Sequence, residues 1–219
     1  MRYDEFINST LNKNLLEFPE NIKILTWNYD YQFEKAFSKY CGSHNLIEIH
    51  KKLNVVSKSL QNKPGEGFAI FKLNGTTAFA GRDSSEHIES NTNITIDLYI
   101  NDDAIHNLVN YYAHIINPEN KCSPYLSFSW EKDESMVDMS TSCTRDTDTL
   151  VVIGYTFPDS NREVDRKIIG AMKNLRKVYF QDPDAENIRT RFQAVRNNML
   201  PKDLVAYPEV GSFLLPDEL

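Results

Sequence analysis

Residues 21–42 read NIKILTWNYDYQFEKAFSKYCG, and the prediction of the fold starts from this stretch. The run at 21–26 is short, apolar and rich in β-branched residues, which predicts a strand. Over 31–40 the apolar side chains recur at i, i+3, i+4 and i+7, which predicts a helix. Asp30 occupies the N-cap position, and Gly42 follows the last periodic residue. The stretch therefore predicts a strand, a tight loop and a capped helix that ends at Gly42.

The same unit recurs twice in the second half of the chain. The run TLVVI at 149–153 is almost continuously apolar, and Ser160-x-x-Glu163 is a capping box that predicts the start of a helix. The third unit has a predicted strand at 177–180 and a helix capped by Asp184. The side chains predicted to face the core are Val164, Ile168, Met172 and Leu175 in the first helix, and Ile188, Phe192 and Val195 in the second.

Repeated strand–helix units, with a further candidate strand at 204–207, predict an α/β fold. We expect a doubly wound, mainly parallel, Rossmann-like sheet with helices on both faces. Its 219 residues suit a single domain over 1–219. The polar and weakly periodic ranges 43–64 and 132–148 are expected to be irregular insertions. A strand at 93–100 and a helix at 102–116 are predicted between them.

The three strand–helix units are expected to share one sheet, because each strand leads into a capped helix across a short loop. These strands end at Thr26, Ile153 and Phe180. Ligands of doubly wound sheets bind beyond the carboxyl ends of the strands. The loops expected to carry chemistry are therefore 27–30, 154–160 and 181–184.

Composition and charge argue against several classes of function. The chain has 24 Lys and Arg against 31 Asp and Glu, a net charge of −7, which disfavours a duplex nucleic acid as partner. No apolar stretch approaches the roughly 20 residues that a membrane span needs, and the amino terminus is acidic and polar where a signal peptide is basic and then apolar. We therefore expect a cytoplasmic protein without a membrane partner.

Cysteine usage bears on metal binding. The chain has 3 cysteines, at wide spacing and without a Cys-x-x-Cys pair, and its 5 histidines show no mutual ligand spacing. Neither a disulfide framework nor a structural zinc is predicted.

Three motifs, taken in order, resemble those of the sirtuin-like family. TWNYD lies at 26–30, KLNGT at 72–76 and LVVIGYTFP at 150–158. The motifs NYD and IGYTFP look most like the branch found in prokaryotic defence and NAD-consuming proteins, which lacks the zinc module of the protein deacylases. The resemblance covers residues 21–184.

The resemblance implies a domain that binds a nucleotide of the NAD or ADP-ribose type and, if it is an enzyme, hydrolyses NAD between nicotinamide and ribose in a defence context. Asn28 and Asp30 would lie near the nicotinamide ribose, and Gln181 and Asp182 would flank the adenosine half. The implied catalytic positions are Asn28, Asp30 and Asn74, and the implied nucleotide-binding positions are Thr26, Trp27, Gly75, Gly154, Tyr155, Thr156, Gln181 and Asp182. Partners consistent with the resemblance are the nucleotide itself and a second copy or another chain.

Two features depart from the family pattern. The family opens with a glycine-rich strand–loop–helix that cradles the pyrophosphate, and nothing before residue 21 resembles it, so we expect a partial member. Asn74 stands where the family carries its catalytic histidine, and an amide does not take up a proton near neutral pH. The alternative function is therefore a non-catalytic nucleotide-binding or assembly module, and we expect slow NAD hydrolysis at most.

Simpler interpretations of the same residues stay open. Asp30 is also a plain N-cap, with Asn28 satisfying backbone groups of the loop. The pair Asn74-Gly75 also suits a type I′ hairpin turn, and Gly154 also suits the end of a strand. A carboxylate-based metal enzyme is a third function, without a supporting motif, and its candidate ligands are Asp30, Asp148 and Asp182.

Overall fold

The structure is a computed structural model that describes residues 2–58, 64, 66–81, 113, 116–117, 122–126, 131 and 134–217. The predicted strand at 93–100 lies outside the described residues, and so does most of the predicted helix at 102–116. The chain divides into two compact units. The central unit is Leu11–Phe128, and the terminal unit joins Met1–Thr10 to Ser129–Leu219.

The described helices and strands follow one another in α/β order. The helices are α1 (Arg2–Thr10), α2 (Gln32–Cys41), α3 (Leu46–Lys52), α4 (Glu134–Cys143), α5 (Arg162–Ala171) and α6 (Ala185–Val195). The strands are β1 (Lys23–Thr26), β2 (Val55–Ser57), β3 (Ala69–Lys72), β4 (Gly75–Gly81), β5 (Cys122–Leu126), β6 (Thr149–Ile153), β7 (Lys177–Gln181) and β8 (Leu204–Tyr207). Among the described helices none has the length and apolar character that crossing a membrane requires.

The central unit contains a parallel sheet in the order β1-β3-β2 and an antiparallel pair, β4 and β5. Its register places Lys72, the last residue of β3, opposite Thr26 of β1 and Ser57 of β2. All four residues of β3 are buried, as expected for the middle strand of a parallel sheet covered on both faces. The carboxyl ends of the three strands therefore meet at one edge.

Helix α2 confirms the prediction made for residues 31–40. Phe33, Ala36 and Phe37 are buried, and Phe37 packs against the ring of Phe18 with centroids 5.8 Å apart. Gly42 ends the helix in the left-handed region at φ 63°, and its amide donates to the carbonyl of Ser38 at 3.1 Å. The apolar stripe and the terminal glycine are local features, which explains why the sequence predicts them.

The terminal unit contains a second parallel sheet, in the order β6-β7-β8. Its strands confirm the predictions at 149–153, 177–180 and 204–207. The predicted apolar stripes are buried at Ile168, Met172, Leu175, Ile188 and Phe192, and half-buried at Val164 and Val195. The α/β class is therefore confirmed.

The prediction that one sheet contains the strands ending at Thr26, Ile153 and Phe180 is wrong. Strand β1 pairs with β3, whereas β6 and β7 pair with each other in a separate sheet. A capped helix after a short loop identifies a strand–helix unit, but the hydrogen-bond partner of the strand comes from elsewhere in the chain. Strand pairing was therefore beyond what the local pattern could predict.

The two ranges expected to be irregular contain regular elements. Helix α3 and strand β2 lie within 43–64, and α4 lies within 132–148. Helix α3 is only 7 residues long, too short to show a clear period, and Asn45 caps it by accepting from the amides of Ile47 and Glu48. Short helices that depend on a cap and on burial escape a search for periodicity.

Two of the three predicted N-caps are displaced by one residue, and the third, Asp184, lies where it was predicted. Helix α5 begins at Arg162, after a 3₁₀ turn at Asp159–Asn161, so its N-cap is Asn161 and not the predicted Ser160. The Ser160 hydroxyl donates to the Asn161 side chain at 3.2 Å. Asp30 lies one residue before the N-cap of α2 and accepts from the amide of Gln32 at 3.2 Å. Asp184 is the N-cap of α6, but its side chain accepts from the amide group of the Asn187 side chain at 2.6 Å instead of from a backbone amide.

Candidate functional site

The carboxyl ends of β1 and β3 lie side by side in the central unit. The amide of Leu73 donates to the carbonyl of Thr26 at 2.9 Å, and the Asn74 side chain donates to the carbonyl of Trp27 at 2.7 Å. The TWNYD and KLNGT motifs are therefore neighbours at one sheet edge. This edge carries the three predicted catalytic positions, Asn28, Asp30 and Asn74.

The Asn74-Gly75 pair is not the turn of a hairpin between paired strands. Strand β3 pairs with β1 and β2, whereas β4 pairs with β5, so the residues before and after this pair enter different sheets. Gly75 has φ 71°, a conformation in which a side chain is strained. The hydrogen bond from the Asn74 side chain to the Trp27 carbonyl instead connects the segment between β3 and β4 to the residue that follows β1.

The loop at 27–30 presents polar and aromatic groups to solvent. Asn28 and Tyr29 are exposed, and Tyr29 exposes 48% of its surface. The Thr26 hydroxyl oxygen accepts from the amide of Asn28 at 3.0 Å, which fixes the start of the loop. Asp30 is half-buried as a residue, and its carboxylate also accepts from the Gln32 side chain at 3.1 Å in an exposed hydrogen bond. The loop can therefore offer a carboxamide, an aromatic ring and a carboxylate to a ligand.

A buried charged cluster lies next to this loop. We define the Glu34 cluster as Glu34, His50 and Lys72, which expose 0%, 7% and 3% of their surfaces. Lys72 Nζ lies 2.7 Å from Glu34 Oε1, and His50 Nε2 lies 3.3 Å from the same oxygen. The Lys72 ammonium also donates to the carbonyl of Asp30 and lies 4.8 Å from the ring centroid of Tyr31. The cluster therefore joins α2, α3 and β3 to the loop.

The electrostatics of the cluster favour an ionised Glu34. Burial by itself raises the pKa of Glu34, but the ammonium of Lys72 and the contact with His50 outweigh burial and hold the pKa below its ordinary value. Sequence reasoning missed all three members of the cluster. The available signal was Lys72, a charged residue at the end of the apolar run FAIFKL.

The remaining predicted site residues lie in the terminal unit, at the carboxyl ends of β6 and β7. The amide of Gly154 donates to the carbonyl of Gln181 at 3.2 Å, which joins the two strand ends. Gly154 has φ 61° and is exposed, with no atom within 4 Å of the position that a Cβ would take. Thr156 is also exposed. A ligand could therefore approach the backbone at Gly154 closely.

Tyr155 holds this second loop to helix α5. Its hydroxyl donates to the Asp165 carboxyl group at 2.9 Å and accepts from the Asn161 side chain at 3.1 Å. Burial raises the pKa of Asp165 to about 7, against the opposing effect of the Tyr155 hydrogen bond. Burial and the nearby Asp165 raise the pKa of Tyr155. Asp165 was missed because it follows Val164 in a helix that the sequence presents as amphipathic, with nothing to show that it is buried.

Gln181 and Asp182 bond mainly to the chain itself. Gln181 is buried, its amide group donates to the carbonyl of Glu209 at 2.9 Å, and its oxygen accepts from the amide of Leu214 at 2.9 Å. The Asp182 carboxylate accepts from the amide of Asp184 at 2.8 Å. In this arrangement Gln181 holds the C-terminal segment against the sheet.

The geometry contradicts the carboxylate-metal alternative. Asp148 precedes β6 and Asp182 follows β7, so the two carboxylates lie at opposite ends of a parallel sheet. Asp148 instead pairs with Arg176 at 2.9 Å. Within the part of the chain that the structure describes, no three His, Cys, Asp or Glu residues form a metal-binding group. The expectation that zinc is absent stays a prediction.

Comparison with known proteins finds no family model, no curated protein and no solved structure that matches this chain. The sirtuin-like resemblance therefore depends on the three motifs alone. From the resemblance we also expect Asn28 and Asp30 to line one cleft with Gly154 and Thr156. The first two residues belong to the central unit and the last two to the terminal unit, and this expectation stays a prediction.

Proposed function

We propose that this chain is a sirtuin-like nucleotide-binding protein with a doubly wound ancestry, and that its ligand is of the NAD or ADP-ribose type. One observation carries the proposal. The TWNYD and KLNGT motifs are neighbours at the carboxyl ends of adjacent parallel strands. In the sequence their first residues, at 26 and 72, are 46 positions apart. Ligands of parallel α/β sheets bind at that edge.

The chemistry of the loop at 27–30 suits such a ligand. The exposed carboxamide of Asn28 can bind a ribose hydroxyl or hold a water molecule. The carboxylate of Asp30 can stabilise the positive charge that develops on the ribose when nicotinamide leaves. The exposed ring of Tyr29 offers a flat face to a base or a nicotinamide ring.

Asn74 favours binding over turnover. Its amide group is bonded to the carbonyl of Trp27, and an amide is no general base. General-base catalysis contributes about 10²–10⁴-fold to such reactions. We therefore propose that the chain alone binds the nucleotide and hydrolyses NAD slowly or not at all. A non-catalytic binding or assembly module is the form of the proposal that this residue supports.

The binding test compares two asparagines at opposite ends of β1. Isothermal titration with NAD and with ADP-ribose is carried out on the wild type, Asn28→Ala and Asn21→Ala. Asn21 is exposed and precedes the amino end of the strand, so its substitution is a matched control. Loss of one uncharged hydrogen bond should raise the Kd of Asn28→Ala about fivefold to tenfold and leave that of Asn21→Ala unchanged. Equal effects, or no binding by the wild type at millimolar nucleotide, would contradict the proposal.

The activity test follows free nicotinamide released from NAD. We expect little release by the wild type. Robust turnover that disappears in Asn28→Ala would overturn the non-catalytic form of the proposal and show that another residue supplies the base.

A further inference from the structure

We propose that Lys72 is a positioning residue for the loop at 27–30, and that Glu34 and His50 hold its ammonium group where it binds the Asp30 carbonyl. The effect on ligand affinity rests on the proposed function, whereas the effect on the loop does not. The sirtuin-like resemblance implies no role for any member of the Glu34 cluster.

The contacts of Lys72 support positioning instead of direct binding. Its ammonium group is engaged by Glu34 Oε1 at 2.7 Å, by the carbonyl of Asp30 and by the ring of Tyr31. Only 3% of its surface is exposed, so in this conformation it does not reach a ligand in solvent. Any effect of Lys72 on a nucleotide must therefore pass through Asp30 and the loop.

The position of Lys72 in the sheet makes it a firm anchor. It is the last residue of the middle strand, paired with Thr26 on one side and Ser57 on the other. Thr26 also precedes the loop directly. The loop is thus held at its start by strand pairing and at its end by the Lys72 ammonium.

Glu34 and His50 explain why the ammonium group stays in place. Glu34 Oε1 contacts both Lys72 and His50, which connects helices α2 and α3 to the end of β3. The His50 ring also lies 5.8 Å from the Tyr31 ring, centroid to centroid. Burying these charges costs free energy that apolar side chains of similar size would avoid. A cluster that only filled the core would not need them.

The test needs a readout of the loop without ligand. The chain has 2 tryptophans, Trp27 and Trp130, so in Trp130→Phe the loop residue Trp27 is the single tryptophan, which excitation at a wavelength that tyrosine does not absorb observes selectively. Emission of Trp27 and its quenching by acrylamide then report the loop in the nucleotide-free protein. Titration with NAD on the same variants reports affinity.

Four variants separate positioning from a merely structural role. Lys72→Met removes the charge, and Lys72→Arg retains it. The double variant Glu34→Leu with Lys72→Met removes both charges, so no unpaired charge is left buried. Lys177→Met is the matched control, because Lys177 also lies over a tyrosine ring, 4.9 Å from the centroid of Tyr179, but in the other unit.

We expect the double variant to melt cooperatively, with greater Trp27 quenching than the wild type. The Kd for NAD should rise about tenfold, which is less than the full value of one charge-assisted hydrogen bond because the lost bond lies within the protein. Lys72→Arg should restore part of both properties, and Lys177→Met should change neither. Wild-type quenching and affinity in a folded double variant would overturn the proposal. If the double variant does not fold, Trp27 quenching and the Kd for NAD are measured on Glu34→Gln instead. A partial increase in quenching and Kd would support the positioning role, and wild-type values of both would overturn it.

The two proposals fail separately. If the wild type does not bind NAD, the proposed function fails, while Trp27 quenching still decides whether Lys72 positions the loop. If NAD binds and the Lys72 variants leave quenching and affinity unchanged, the positioning role fails and the proposed function stands.

Discussion

The loop at 27–30, after β1 in the central unit, and the loop at 154–160, after β6 in the terminal unit, are held in place by different contacts. In the central unit a buried ammonium from a neighbouring strand binds the loop, and Lys72 lies 42 residues from Asp30 in the chain. In the terminal unit the loop is held by its own Tyr155, which bonds to Asp165 only 10 residues later. The pKa of the buried carboxyl group near the first loop, Glu34, is lowered, whereas that of the carboxyl group near the second loop, Asp165, is raised to about 7. The same strand–loop–helix unit can therefore be fixed by the ammonium group of a distant lysine or by a hydrogen bond between residues close in the chain.

The largest expected difference concerns removal of each buried carboxylate. Glu34→Ala leaves the Lys72 ammonium buried without its partner, which should lower the free energy of unfolding by about 3–5 kcal/mol. Asp165→Asn retains an oxygen that accepts from Tyr155 and resembles the protonated carboxyl group. At about pH 4, where Asp165 is protonated in the folded protein, this variant should therefore change stability by less than about 1 kcal/mol. Urea denaturation measures both values, at neutral pH for Glu34→Ala and at about pH 4 for Asp165→Asn. Equal losses in the two variants would contradict the proposed difference between the Glu34 cluster and the Tyr155–Asp165 hydrogen bond.

The second prediction concerns the pH dependence of stability, to which Asp165 and Glu34 contribute with opposite sign. Asp165 has a folded pKa of about 7 against an ordinary 3.8, so between these values the folded state binds the extra proton and stability falls as pH rises. The slope should reach up to about 1.4 kcal/mol per pH unit. Glu34 has a lowered folded pKa, so its contribution is present above its ordinary value of 4.5 and is lost as pH falls below it.

Urea denaturation between pH 4 and pH 8 tests this sign. The wild type should lose stability from about pH 4 to pH 7 relative to Asp165→Asn, whose profile should be flatter. Parallel profiles for the two proteins would contradict the assignment of a raised pKa to Asp165.

The smallest expected effect concerns two glycines with the same backbone conformation. Gly42 and Gly154 have φ 63° and 61°, and neither has an atom within 4 Å of a Cβ position. Alanine at either position should therefore cost only the backbone strain, about 1 kcal/mol in thermal or urea unfolding. Gly154→Ala should also weaken NAD binding, whereas Gly42→Ala should not. Equal affinities in the two variants would leave Gly154 as a simple strand end.

Local patterns in the sequence were sufficient for the elements and for part of the candidate site. The apolar stripe of α2, its end at Gly42 and the buried faces of α5 and α6 depend on residues within a few turns of one another. The loop that carries Asn28 and Asp30 was expected beyond a strand because it follows the apolar run at 21–26, whereas the catalytic positions, Asn74 among them, came from the resemblance. The three residues lie near one another in the central unit because β1 and β3 pair in parallel and their carboxyl ends therefore meet at the same edge.

Tertiary structure alone decided which strands pair and which polar groups are buried. Nothing near Thr26 shows that β1 pairs with β3 and not with β6, because a strand's partner is chosen by distant backbone groups. Lys72, Glu34 and His50 lie far apart in the chain and become one cluster only when α2, α3 and β3 pack together. The sequence by itself thus determined the strand–helix units and the motif positions, since both are local properties. The sheet partners and the buried charges arose from long-range packing, which a single sequence does not display.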